Sequence, residues 1–187
     1  MTGGASAGGV IWICGLSGVG KTTLSAEVVR LMRAEHPNVN QLDGDDFRKH
    51  YMPQAGYERE DRLGVARAIS NAAWLSAQAG ALCVVSTISL FAEIHRANRA
   101  SEAVLKLPLT LTLITAPSAM LLARRAALME HAINVVGIDI NAEFPDAPDY
   151  QCANEGDIND LRLEAVRIGA LWRARRARQA DLARSAS

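Results

Sequence analysis

No stretch of this 187-residue chain stays apolar for the roughly 20 residues that a bilayer-crossing helix needs, so no membrane-spanning helix is expected. Neither sign of charge is in excess. Lys and Arg together number 20, as do Asp and Glu. No global field therefore draws the chain to nucleic acid or to an anionic surface. Lysine is scarce, with only Lys21, Lys49 and Lys106. The three cysteines, Cys14, Cys83 and Cys152, are odd in number and far apart, without metal-ligand spacing. Cys14 and Cys83 fall in strand-like runs, so they read as small buried residues of a reducing compartment. His36, His50, His95 and His131 show neither ligand nor triad spacing and are expected to be exposed or weakly buried structural residues. The N-terminus lacks a basic region, and the apolar run after it is too short for a signal peptide, so a cytoplasmic location is expected.

What the chain does have is a regular alternation of short apolar runs and helix-length segments. Residues 1–9, rich in glycine, read as a flexible tail, and residues 10–187 as a single domain without repeats or a dividing linker. Apolar runs at Val10–Cys14, Val39–Leu42, Ala81–Val85, Leu109–Thr115 and Tyr150–Ala153 predict five strands. Helices are predicted after residue 20, over Arg59–Ala79 with Gly80 as a cap, over Phe91–Lys106, from Pro117 to Glu130, and over Ile158–Leu182. Residues 132–149 read as loop. This order predicts an α/β class protein, a three-layer α/β/α sandwich around a mainly parallel five-stranded sheet, with ligands at the carboxyl ends of the strands. Arg173, Arg175, Arg176 and Arg178 on the last helix read as a solvated terminal face, because no aromatic platform or nucleic-acid module accompanies them.

Gly15-Leu16-Ser17-Gly18-Val19-Gly20-Lys21-Thr22-Thr23 fits the phosphate-binding P-loop pattern G-x-x-x-x-G-K-[ST], between an apolar strand and a helix as the motif requires. Gly15, Gly18 and Gly20 allow backbone conformations that bring N–H groups onto phosphate oxygens. Lys21 can reach the β- and γ-phosphates, and the Thr22 hydroxyl can ligate Mg²⁺. The helix that Thr22 and Thr23 open presents its positive end to the anion. Leu42-Asp43-Gly44-Asp45, with Arg48 three residues on, follows the second strand. A carboxylate there can hold Mg²⁺ or accept a proton from an attacking hydroxyl, and the arginine can bind an anion. The same Asp-Gly-Asp is also a common turn and helix N-cap.

At these residues the chain resembles the adenylylsulfate kinases, P-loop kinases that phosphorylate the ribose 3′-hydroxyl of adenosine 5′-phosphosulfate. The resemblance runs from about Ile11 to Asp149. The P-loop is similar to the family's own, and Leu42-Asp43-Gly44-Asp45…Arg48 to its L-D-G-D-x-x-R. Gly56-Tyr57-Glu58-Arg59-Glu60-Asp61-Arg62 resembles G-F-S-x-E-D-R, Ser86-Thr87-Ile88-Ser89 resembles S-x-I-S, and Gly137-Ile138-Asp139 resembles G-I-D. The resemblance implies ATP and Mg²⁺ as cofactors. Gly15, Ser17, Gly18, Val19, Gly20, Lys21, Thr22 and Thr23 would hold the triphosphate, and Arg124 would cover the ATP adenine. Thr22 and Asp45 would serve the metal, and Asp45, with Lys21, the catalytic step as base. Asp43, Arg48, Tyr57, Arg62, Ile88 and Ser89 would line the acceptor site, with Tyr57 stacked on the base. The partner implied is a small nucleotide substrate, and a homodimer stays open. From their own chemistry, Arg62 equally suits an i,i+4 pair with Glu58, Tyr57 a packed helix start, Ser89 an N-cap, and Arg124 a solvated helix end.

The chain departs from the family pattern on the acceptor side. Val65 stands where the family has an asparagine, Leu90 where it has a proline, and Ile94-His95 where it has Asp-Arg. The segment from Arg124 to Gly137 is shorter, and Ile133 and Val135 replace a lysine and an aromatic. A base stack is worth about 1–3 kcal/mol, so these changes suit either weaker binding or a different acceptor. Three readings follow: a kinase for adenosine 5′-phosphosulfate, a kinase for another nucleotide adduct such as a cytidine nucleotide or for a small anionic alcohol, and a nucleotide-binding regulator without turnover. A switch GTPase fits less well, since the chain has no N-K-x-D guanine signature.

Overall fold

The computed structural model describes residues 8–128 and 134–185, and for 124–128 the backbone only. The elements in chain order are β1 (Gly9–Cys14), α1 (Lys21–Met32), β2 (Val39–Asp43), α2 (Gly44–Tyr51), α3 (Arg59–Gln78) and β3 (Leu82–Thr87). They continue with α4 (Ala92–Leu105), β4 (Leu109–Thr115), α5 (Ser118–Leu128), β5 (Tyr150–Ala153) and α6 (Ile158–Ser185). The strands form one sheet in the order β2-β3-β1-β4-β5, and every neighbouring pair is parallel. This is the three-layer arrangement expected from the alternating pattern.

Alternation along β1 assigns the two faces. Val10, Trp12 and Cys14 point into a core closed by α3 and α4 through Leu63, Ile69, Trp74, Phe91 and Ile94. Ile11 and Ile13 point the other way, onto Leu24, Val28 and Met32 of α1 and Ile168 and Trp172 of α6. A strand buried on both faces has no polar side to alternate with, which is why β1 reads as a continuous apolar run. The chain leaves β1 toward one edge of the sheet and leaves β3 toward the other. The crevice between these departures opens above the carboxyl ends of β1 and β3, where open α/β sheets bind ligands.

The expectations for the tail and for two histidines need correction. The tail does not reach residue 9: β1 begins at Gly9, and Gly8 is buried as well. These glycines answer close packing, since a Cβ on Gly8 would lie 2.1 Å from the Ala77 carbonyl oxygen and one on Gly9 2.8 Å from that of Pro108. Residues 1–7 lie outside the described residues. Two histidines expected near the surface are buried, His36 at 3% exposure and His95 at 6%; His36 packs edge-on against Trp172 at 5.8 Å. Finally, Gly44–Tyr51 is a helix that the apolar periodicity does not announce, because none of its residues is buried. What starts it is a cap: Asp43 accepts a 3.0 Å hydrogen bond from the Asp45 N–H, the local turn that Asp-Gly-Asp favours.

Other boundaries follow local chemistry. The α3 helix opens on a capping box in which Glu58 and Asp61 each accept from the other's end of the turn. It closes at Ala79 with Gly80 just beyond at φ 90°, a conformation that costs glycine little.

Candidate active site

The P-loop rises from β1 and turns into α1. Gly18 and Gly20 have φ of 80° and 101°, so both occupy the region that a side chain would strain. Gly20 also cannot carry a Cβ, which would fall 2.5 Å from Nδ2 of Asn154. That amide is buried and donates to the Val19 carbonyl at 2.8 Å, clamping the loop from the end of β5. Val19 itself is 1% exposed and sits in the core, so only its main chain is available to a phosphate. Gly15 is likewise buried, packed against the Ile114 carbonyl oxygen.

Lys21 folds back, and its Nζ donates to the Leu16 carbonyl at 2.8 Å. Burial lowers its pKa from 10.5 to about 8, against the opposing pull of Asp45 and then Asp43. Thr22 Oγ1 donates to Asp43 Oδ2 at 2.8 Å, and Ser86 Oγ donates to the same oxygen at 2.8 Å. The sheet register explains this, since Asp43 pairs with Ser86 across β2 and β3. The network continues inward through Ser25 Oγ, which lies 3.2 Å from Ser86 Oγ and receives Gln41 Nε2 at 3.1 Å. Asp43 is thus held on both carboxylate oxygens, while Asp45, in the first turn of α2, is exposed.

A cavity of about 330 Å³ joins these parts. Its floor is Ser17, Gly18, Gly20, Lys21, Thr22 and Thr23, and its side carries Asp43, Asp45, Arg48, Arg62, Ile88 and Ser89. Arg48 donates from Nη1 to the Ala55 carbonyl at 3.0 Å and also to that of Gly56. Arg62 donates from Nε to the Tyr57 carbonyl at 3.0 Å, and burial, followed by the adjacent Arg48 charge, lowers its pKa. Both guanidinium groups lie against the Tyr57 ring, at 4.7 Å for Arg48 and 5.2 Å for Arg62. Tyr57 is half exposed beside the cavity rather than on its wall. The i,i+4 alternative for Arg62 is not what forms, because Glu58 caps α3 and accepts from Asn134 Nδ2 at 2.7 Å. Ser89 does not cap α4, whose N-cap is Phe91; its hydroxyl accepts a 3.0 Å hydrogen bond from Trp12 Nε1.

Sequence reasoning had not placed Gly44, Ala66, Thr87, Phe91 or Val136 on this cavity. Gly44 and Thr87 sit inside two of the motifs quoted above, while Ala66, Phe91 and Val136 carry no local mark and reach the crevice through packing. Val65 does line the cavity, but of the two consecutive valines 135 and 136 it is Val136 that does so. Val135 is 7% exposed and is tied by its N–H to Asp139 Oδ2 at 2.7 Å. Arg124 lies on α5, its side chain outside the described residues, as are Ile133 and His131. Among the described residues no group of three or more His, Cys, Asp or Glu is placed to hold a metal, and no helix is long and apolar enough to cross a membrane.

A P-loop whose lysine shares one cavity with an exposed carboxylate and two arginines defines a P-loop phosphotransferase with a second, anionic substrate. Comparison with known proteins narrows this class. The family model described as adenylylsulphate kinase matches residues 7–153, and the chain belongs to that family. It is 33% identical over 169 residues to the adenylyl-sulfate kinase of Myxococcus xanthus, covering 87% of this chain and 91% of that protein. It is 32% identical over 146 residues to the cytidine diphosphoramidate kinase of Campylobacter jejuni, covering 74% and 82%. The Mycobacterium tuberculosis APS kinase solved in complex with AMPPNP and APS superposes with a TM-score of 0.75 at 26% identity, over 87% of this chain and 97% of that one.

Proposed function

We propose that this protein transfers the γ-phosphoryl group of ATP to the ribose 3′-hydroxyl of adenosine 5′-phosphosulfate, giving 3′-phosphoadenosine 5′-phosphosulfate. The observation that carries this is the cavity in which the P-loop and Lys21 face Asp45, Arg48 and Arg62. The loop amides and the ammonium would hold the β- and γ-phosphates. Asp45 would take the acceptor's proton as the new O–P bond forms and the bond from the γ-phosphorus to the β–γ bridging oxygen breaks, releasing ADP. Arg48 and Arg62 would neutralise the acceptor's anionic end. The donor set fits Mg²⁺: the Thr22 hydroxyl and the Asp43 carboxylate are hard oxygen ligands 2.8 Å apart, with Asp45 close by in the same cavity. When bound there, Mg²⁺ would supply charge neutralisation on the phosphate oxygens. The buried, unpaired thiols of Cys14, Cys83 and Cys152 support a reducing cytoplasm, and a homodimer is the assembly the resemblance suggests.

A second acceptor is supported by one feature. Val65, Ala66, Phe91 and Val136 give part of the cavity wall an apolar character, and Val65 stands where the family pattern has a hydrogen-bonding asparagine. A smaller pyrimidine nucleotide adduct suits such a wall, and one relative carries the name of a cytidine diphosphoramidate kinase. Release of ADP from ATP, measured with adenosine 5′-phosphosulfate and with cytidine diphosphate adducts side by side, decides between them. Turnover with the first supports the main reading, and turnover confined to the second replaces it. If Lys21→Ala or Asp45→Asn leaves the rate unchanged, this site is not the seat of catalysis.

A further inference from the structure

Ser89 holds its backbone at φ 27°, short of the left-handed basin that Lys106 and Asn134 occupy at 53° and 55°. A residue other than glycine keeps such a φ only where its surroundings over-determine it. Two sets of contacts do so. On one side the Ser89 hydroxyl accepts the 3.0 Å hydrogen bond from Nε1 of Trp12, which is fully buried in the middle of β1. On the other, Leu90 and Phe91 are sunk in the core, and the Leu90 carbonyl accepts from the Glu143 N–H at 2.9 Å. The strained residue thus lies between Ile88, on the cavity wall, and an anchored pair whose second member, Phe91, also lines the cavity. A phenylalanine at position 12 would fill most of the same space. What the indole adds is a donor that must find an acceptor when buried.

We propose that Trp12 is a positioning residue for the acceptor: its indole N–H holds Ser89 in the strained backbone that sets Ile88 and Phe91 as one wall of the acceptor pocket. Trp12 does not line the cavity, so it acts through Ser89. The proposal rests on the kinase reading for its kinetic readout but not for its structural one.

The test is Trp12→Phe, which keeps an aromatic ring and removes the donor. The acceptor KM is expected to rise about fivefold, the value of one buried hydrogen bond, with the ATP KM within about twofold of the parent. Amide hydrogen exchange over residues 88–91 is expected to accelerate. Ser89→Ala should reproduce both effects, and it reports on the same bond if Trp12→Phe does not fold. Trp12→Phe combined with Ser89→Ala should be no worse than either alone. An unchanged acceptor KM in Trp12→Phe overturns the proposal, as do equal rises in both KM values or additive losses in the double variant. Unchanged exchange at residues 88–91 overturns it whatever the acceptor is. Faster exchange with no turnover on any acceptor upholds the positioning and removes the kinase reading alone.

Discussion

The lowered pKa of Lys21 makes the pH dependence of ATP use a direct test of the site. With a pKa of about 8 in the free protein, about nine-tenths of Lys21 carries its proton at pH 7 and about one-tenth at pH 9. Only the ammonium attracts phosphate. The kcat/KM for ATP, which reports groups of the free enzyme, should therefore fall about tenfold between these values and approach tenfold per pH unit beyond. Phosphate groups finish ionising near pH 6, below this window, so the nucleotide does not confuse the limb. A bound triphosphate raises the lysine pKa again, so kcat at saturating ATP should stay flat over the same range. The assay is ADP release at saturating acceptor from pH 6.5 to 10, with the fold followed by circular dichroism. Lys21→Arg is the control: its guanidinium stays charged throughout, so the alkaline limb should vanish even if the overall rate is lower. A kcat/KM that stays level to pH 10, or a limb that persists in Lys21→Arg, refutes the assignment of Lys21 as the buried phosphate-binding cation.

Further outcomes are expected. Asp45→Asn should lower kcat by about 10²- to 10⁴-fold, the range for a lost general base, while ATP binding measured by calorimetry persists. Ser86→Ala removes one of the hydroxyls on Asp43 and should raise the KM for Mg·ATP about fivefold, with Thr22→Ser nearly silent because it keeps the hydroxyl. Burial pushes the Cys152 thiol up to about 12 from 9.0, so between these values the unfolded chain has lost a proton that the folded protein keeps. Its contribution to stability is complete below pH 9 and is lost as pH rises toward 12, by about 1.4 kcal/mol per pH unit. Cys152→Ala should make the alkaline fall in unfolding free energy, measured by urea titration, shallower by that slope.

How much of this was legible in the chain depends on how local each constraint is. Leu109–Thr115 has the boundaries that its apolar run predicts, because a strand buried on both faces leaves its signature in consecutive residues. Helix α2 escaped the same reading, since it buries no face and is started by the Asp43 cap alone. Tyr57 was expected to offer its ring to a base, but Arg48 and Arg62 lie against it, a contact between separate turns of chain. Val136, and not the Val135 that the family resemblance singled out, reaches the cavity, while the Asp139 side chain ties the Val135 amide into the turn.

The sequence by itself determined the P-loop, the parallel α/β class and the carboxylate–arginine pair, because backbone freedom at glycine, hydrophobic periodicity and side-chain chemistry are properties of residues within a few positions of one another. Only the tertiary structure decided that Asp43 is gripped by Thr22 and Ser86, that Asn154 clamps the loop at Val19, and that Trp12 holds Ser89. These contacts join segments 21 to 135 residues apart, and they exist because the parallel register of the five strands brings their carboxyl ends to one side of the sheet.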